Sequence, residues 1–283
     1  MSVELSDLPT CDLLVAGPPC PPFSRMGQRG DPWADPRAKV LLRIMKWVVH
    51  LSRSGLRCFI LENVVGIQKA IHKRLQKFIS QLHGSWHVEW IPATSLCCAH
   101  SRNRVYLVGY CMSSPEEGTH LRHKVAGLTP KLPPRFLRDI LVDTKGSSMP
   151  AGLCRSQRGN YRRWLRVLKP QLKQRSAKGT FACFNVDRDP RLARRIYRVD
   201  DVAPCLRATG GKPWVISLGE GAPRISRLLH VAEMCLLQGI SPSSLPRRHV
   251  TQRQIAKGCG NAMTVPVVGA IMHGLRRAFQ QEI

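Results

Sequence analysis

The chain has 283 residues, of which 43% are hydrophobic, enough to bury one sizeable core, or one domain plus a smaller lobe, and to exclude a disordered chain. Lys and Arg total 44 against 18 Asp and Glu, and the resulting net charge of +26 argues against a purely small-molecule enzyme. It points to a polyanion partner, nucleic acid first, with a merely basic soluble protein as the bland alternative.

The first ten residues carry Glu4 and Asp7 rather than a basic then apolar leader, and no run approaches membrane-spanning length, so no membrane association is expected. Eleven cysteines include no C-x-x-C pair, so no metal site is expected and the compartment reads as reducing and intracellular, the nucleus in a eukaryote.

In chain order, Asp12 to Gly17 is a short apolar run closed by Gly and Pro, which predicts a buried strand entering a loop over 18–37. Leu41, Ile44, Met45, Val48 and Leu51 recur at helical spacing within 38–53, with Gly55 as the stop. A strand over 58–61, a helix over 68–82 and strands over 87–91 and 105–110 follow. This alternation predicts an α/β layer fold with mainly parallel strands. Beyond Cys111 the periodicity fades, Pro, Gly, Ser and Arg accumulate, and a dense basic run at 158–175 marks a separate lobe. Helical spacing returns at 228–237 and 265–279. The pattern divides the chain into an α/β part over 1–111, a basic lobe over 112–211 and a second periodic part over 212–283.

Cys20 stands in Gly17-Pro18-Pro19-Cys20-Pro21-Pro22-Phe23-Ser24, where a strand has just ended, and sheets of this class bind ligands at that edge. A nucleophilic thiol needs a fixed position and help to become thiolate, which a proline-stiffened loop in a basic protein supplies. A cysteine chosen at random is more often buried and inert. The next strand ends in Glu62-Asn63-Val64, placing an acid at the same edge, although an acid after an apolar strand is on its own more often solvated. Ser101-Arg102-Asn103-Arg104 precedes a further strand, and alternation would turn both arginines toward one site. His87-Val88-Glu89 matches the first half of a zinc deaminase signature, but the P-C-x-x-C half is missing.

Together these segments resemble the cytosine carbon-5 DNA methyltransferases. GPPCPPFS at 17–24 with GDPWADPR at 30–37 is similar to the family's catalytic loop, ENVVGI at 62–67 to its acidic motif, and HSRNRVYLVG at 100–109 to its arginine motif. RRIYRVDDVAPCLRATGG at 194–211 resembles the close of the target-recognition region, and the segments at 224–240 and 258–271 resemble the last two motifs. The resemblance implies that Cys20 adds to carbon 6 of a cytosine, that Glu62 stabilises the protonated ring nitrogen, and that Arg102 and Arg104 hold the base. It further implies S-adenosylmethionine as methyl donor, with Pro19, Asn261 and Ala262 beside it. Double-stranded DNA would be the partner, the target base flipped out against Ser24 and Asn63, with Thr209 and Gly210 in the recognition loop.

The family's opening strand and glycine-rich cofactor loop have no counterpart in this sequence, which predicts a partial Rossmann-like sheet with its first strands missing and a basic target-recognition lobe. A missing amino-terminal segment or a second chain would then complete the cofactor side. Pro21 and His100 stand where the family commonly has Gln. Two other readings stay open: a catalytically impaired DNA-binding homologue, and a transfer-RNA cytosine methyltransferase of the same family.

Overall fold

The computed structural model describes residues 4–24, 30–112, 133–141, 196–198, 202–208, 214–218, 223–245 and 250–280. They fall into two compact units, the described residues of Met1–Thr94, Asn103–Lys131 and Val267–Ile283 in one, and those of Ser95–Arg102 and Leu132–Pro266 in the other. Segment 95–102 and the described residues of 212–266 therefore group with residues of the expected basic lobe.

In the first unit, β1 (Leu13–Ala16), β2 (Cys58–Asn63), β3 (Ser85–Thr94) and β5 (Asn103–Met112) form one sheet in the order β1-β2-β5-β3. Helices α1 (Ala38–Leu51) and α2 (Ile67–Ile79) share a core with Phe59, Leu61, Val105 and Leu107. The buried residues of α1 are the periodic ones, Leu41, Ile44, Met45, Val48 and Leu51, together with Ala38, so burial of one stripe makes this segment a helix.

The expectation of mainly parallel strands is corrected: β1 and β2 are parallel, whereas β5 runs antiparallel to both β2 and β3. Only residues 95–102 separate β3 from β5, too few for the helical crossover a parallel pair requires. Among the described residues β2 is the one strand that pairs with β1, and Val15 on it is 36% exposed. An apolar parallel strand is usually covered on both sides.

The second unit contains β4 (His100–Ser101) paired with β7 (Ala203–Pro204), and a sheet of β6 (Ile196–Arg198), β8 (Trp214–Leu218) and β9 (Pro223–Leu228). Helices α3 (Val231–Leu236) and α4 (Gln252–Asn261) share its core with Leu137, Leu206 and Val215. The helix expected over 228–237 begins only at Val231, because Leu228 closes β9 and His230 is an extended N-cap. Its Nδ1 accepts from the Ala232 N–H, and Glu233 accepts from the His230 N–H. α4 went unanticipated because Gly258 and Gly260 and a polar first turn hide its period; Thr251 and Gln254 cap it reciprocally. The last helix, α5 (Val265–Gln280), belongs from Val267 onward to the first unit and buries Val267, Ile271 and Leu275. Among the described residues no single helix is long and apolar enough to cross a membrane.

Candidate active site

Cys20 caps a one-turn 3-10 helix, Pro21–Phe23, immediately beyond the end of β1. Its Sγ lies 3.8 Å from the carbonyl oxygen of Pro18, and the buried Asn63 at the end of β2 donates from Nδ2 to that same oxygen at 3.2 Å. The Asn63 Oδ1 accepts from the Val64 N–H at 2.9 Å, so its amide group is oriented at both ends. β1 and β2 are adjacent and parallel, with Ala16 opposite Leu61, which brings the Cys20 loop and the Glu62-Asn63 strand end to one edge of the sheet.

Gly66 lets the loop close on the turn after β2: a Cβ there would lie 2.2 Å from the carbonyl oxygen of Phe23. The second half of the loop packs back through Trp33, whose ring meets Phe23 edge-on at 5.7 Å and lies 4.4 Å beneath the Arg74 guanidinium of α2. Asp31 accepts from the Trp33 N–H, and Asp35 pairs with Arg37, which holds the Asp35 carboxyl below its usual range. Ser24 Oγ donates to the Pro21 carbonyl, a bond inside the loop.

Glu62 pairs across the sheet with Tyr106, and Arg104, two residues before it, faces the same side. The Arg104 Nε lies 2.8 Å from Glu62 Oε1, and the carboxylate is 2% exposed as a residue. The ion pair turns the carboxylate toward the guanidinium of Arg104. Asn63 points to the opposite face from Glu62, the face that bears Leu61 and Val105 in the helix-packed core.

Arg102 has other partners. It precedes β5 rather than lying in it, is buried, and donates to the carbonyl oxygens of Leu206, Gly260 and Ala262 at 3.4, 3.2 and 2.9 Å. The expectation that alternation sends both arginines to one task is thereby corrected: Arg104 holds a carboxylate and Arg102 ties three main-chain carbonyls together. His100 is likewise structural, its Nε2 accepting from the Leu206 N–H at 2.9 Å and its Nδ1 donating to the Leu237 carbonyl at 3.2 Å. Gly260 is required here, since a Cβ would lie 2.2 Å from the carbonyl carbon of Arg207.

Of the residues expected beside a cofactor, Pro19 is half-buried on the loop and Asn261 is exposed at the end of α4, while the Ala262 carbonyl is engaged by Arg102. Thr209 and Gly210 lie outside the described residues, as does the basic run at 158–175. His87 and Glu89 are neighbours on β3, 3.9 Å apart. Sequence reading missed Trp33 and Arg74 as supports of the loop; an aromatic in the loop and a basic residue on the next helix were the available signal.

The other thiols differ sharply. Burial pushes Cys58 and Cys259 up to about 12. Cys97, hydrogen-bonded to its neighbour Cys98 at 4.0 Å, is lowered to about 7, and the same bond together with burial raises Cys98.

The family described as C-5 cytosine-specific DNA methylase matches residues 2–277. Its match from residue 2 lends no support to the expectation of a truncated amino terminus. Over 116 residues the chain is 29% identical to a human tRNA (cytosine(38)-C(5))-methyltransferase, covering 41% of this chain and 29% of that protein. Over 118 residues it is 31% identical to the type II methyltransferase M.HgiCI of Herpetosiphon aurantiacus, covering 40% of this chain and 27% of that one. The matches thus span under a third of those relatives' lengths. Among solved structures, the methyltransferase EhMeth of Entamoeba histolytica superposes with a TM-score of 0.60 at 14% identity, over 96% of this chain and 78% of that one. The Dnmt2 methyltransferase of S. pombe does so at 0.57 and 16%, over 97% and 80%. These two likenesses show a shared mixed α/β fold.

Proposed function

The chain belongs to the C-5 cytosine-specific DNA methylase family, and from that premise we propose that it methylates carbon 5 of cytosine in double-stranded DNA through a covalent adduct on Cys20. The observation that carries this reading is the shared Pro18 carbonyl, which fixes the Cys20 loop against the strand that ends in Glu62 and Asn63.

Cys20 adds as thiolate to carbon 6 of a flipped-out cytosine, forming a C–S bond and making carbon 5 nucleophilic. Glu62, oriented by Arg104, stabilises the protonated ring nitrogen and the exocyclic amine. After methyl transfer a base removes the carbon-5 proton, the C–S bond breaks, and the thiolate is restored. Members of the family use S-adenosylmethionine, which supplies the methyl group. Pro19, with half-exposed apolar surface, and Asn261, with an exposed amide, are each open to such a group, whereas the Ala262 carbonyl is engaged by Arg102. A second chain pairing with the edge of β1 that has no partner strand among the described residues would complete the cofactor side of the sheet. Ser24 and Asn63 belong to the target pocket, Asn63 by orienting the loop, and residues 112–211, with Thr209 and Gly210, form the DNA-facing lobe.

The test is a covalent trap. Duplex DNA containing 5-fluorocytosine blocks the final elimination, so with S-adenosylmethionine it should leave a stable adduct on the wild type and none on Cys20→Ser. DNA binding without an adduct would favour a non-catalytic DNA-binding module. The identity to a tRNA methyltransferase favours a second reading, with transfer RNA as substrate. Methyl transfer to transfer RNA but not to duplex DNA would establish that alternative.

A further inference from the structure

α1 and α2 bury one face each against the sheet side that carries Phe59, Leu61, Val105 and Leu107. Opposite the buried stripe of α1 stand Lys39, Arg43 and Lys46, and along the outer face of α2 run Lys69, Lys73 and Lys77, all six exposed. Spacings of three and four residues set each trio in a row, with about 6 Å between charges four residues apart at 1.5 Å rise per residue.

Neither the 14 residues of α1 nor the 13 of α2 include an Asp or a Glu. Among the described residues none of the six basic side chains takes part in an ion pair. A solvated helix ordinarily interleaves Glu with Lys at four-residue spacing, because such pairs stabilise it and like charges there repel. Lys39 with Arg43, Lys69 with Lys73, and Lys73 with Lys77 are like-charge pairs at that spacing. A bound polyanion relieves the repulsion. The α2 row is also tied to the catalytic loop, since Arg74 on its flank stacks on Trp33, which packs on Phe23 beside Cys20.

We propose that the outer faces of α1 and α2 form a docking surface for the sugar-phosphate backbone of duplex DNA flanking the target cytosine, separate from the pocket around Cys20. Two rows on one side of a single core offer charge to both strands of a duplex, where a lone strand would use one. The proposal rests on the reading of this chain as an enzyme of duplex DNA. Backbone binding of this kind carries affinity and orientation but no sequence preference.

The test uses the whole chain and a duplex extending several base pairs past the target on both sides. Binding is measured between about 50 and 200 mM salt for the wild type, for Lys69→Gln/Lys73→Gln/Lys77→Gln, and for a charge-matched control, Arg53→Gln/Arg253→Gln/Lys257→Gln. The α2 variant should lower the magnitude of the logarithmic salt slope by roughly two to three, about one for each phosphate that the protein no longer neutralises. It should keep the wild-type yield of 5-fluorocytosine adduct at saturating DNA in low salt. An unchanged slope with the adduct intact overturns the docking surface alone, and so does an equal fall in the control. A slope change confined to transfer RNA overturns the duplex assignment. No duplex binding and no adduct from the wild type would overturn the docking surface and the methyltransferase reading together.

Discussion

Cys20 and Asn63, 43 residues apart in sequence, meet at one atom: the Pro18 carbonyl oxygen lies 3.8 Å from the thiol sulfur and accepts from the side-chain amide at 3.2 Å. The nucleophile's loop is thus anchored to the strand end beside the acid by a neutral amide whose other end is also bonded.

Asn63→Ala should leave the protein folded, at a cost of about 1 to 3 kcal/mol for the buried carbonyl that keeps only the weak thiol contact and loses its amide donor. Adduct formation on 5-fluorocytosine DNA should slow by roughly 10- to 100-fold as the thiol loses its fixed position. Asn63→Asp should be worse, because a carboxylate beside a carbonyl oxygen repels it. Adduct rates for both variants at the wild-type value would remove the anchoring role.

Removing Arg104 takes from the buried Glu62 the cation that lies 2.8 Å from its carboxylate. Arg104→Ala should destabilise the fold by about 3 to 5 kcal/mol, read as a lower midpoint in urea. Glu62→Gln/Arg104→Met should recover much of that stability without recovering adduct formation, which separates the structural role of the pair from its chemical one.

Gly66 and Gly258 form a matched pair of opposite sign. Gly66→Ala drives a Cβ to 2.2 Å from the Phe23 carbonyl oxygen, so backbone must shift, at a cost of about 1 to 3 kcal/mol together with slower trapping by Cys20. Gly258 lies inside α4 with nothing within 4 Å, and Gly258→Ala should be neutral or stabilising by up to about 1 kcal/mol. Thermal unfolding of both variants checks the contrast.

Arg102→Lys keeps the charge but cannot reach three carbonyls from a planar fork, so it should lower stability by about 2 kcal/mol. Once folded, at a temperature well below its midpoint, it should form the adduct at close to the wild-type rate. A large drop in adduct at unchanged stability would return Arg102 to the catalytic set.

Cys97 should alkylate readily at neutral pH. With its thiol lowered to about 7, roughly half is thiolate at pH 7, and the fraction falls about tenfold per unit of pH well below that. Cys58 and Cys259, held near 12 by burial, should stay unmodified across the same range in the native protein. Mass mapping after brief iodoacetamide treatment at about pH 6, 7 and 8 tests the order, and modification of Cys58 before Cys97 would contradict it.

The amino-acid sequence alone determined the elements whose burial pattern repeats locally. The stripe from Leu41 to Leu51, the apolar run before Gly17 and the strand before Glu62 needed only period and punctuation. The Cys20 loop and the Glu62 and Arg104 segments were likewise legible, because their residue types cluster within a few positions. Only the tertiary structure decided what depends on distant partners. β5 runs antiparallel between β2 and β3, a matter of strand pairing that local pattern does not encode. Arg102 and Arg104 look equivalent in the sequence, yet one meets the carbonyls of Gly260 and Ala262 and the other a carboxylate, because a single residue decides whether a side chain precedes a strand or belongs to its pleat. The sharing of Pro18 by Cys20 and Asn63 is of the same kind, a meeting made when two parallel strands end side by side.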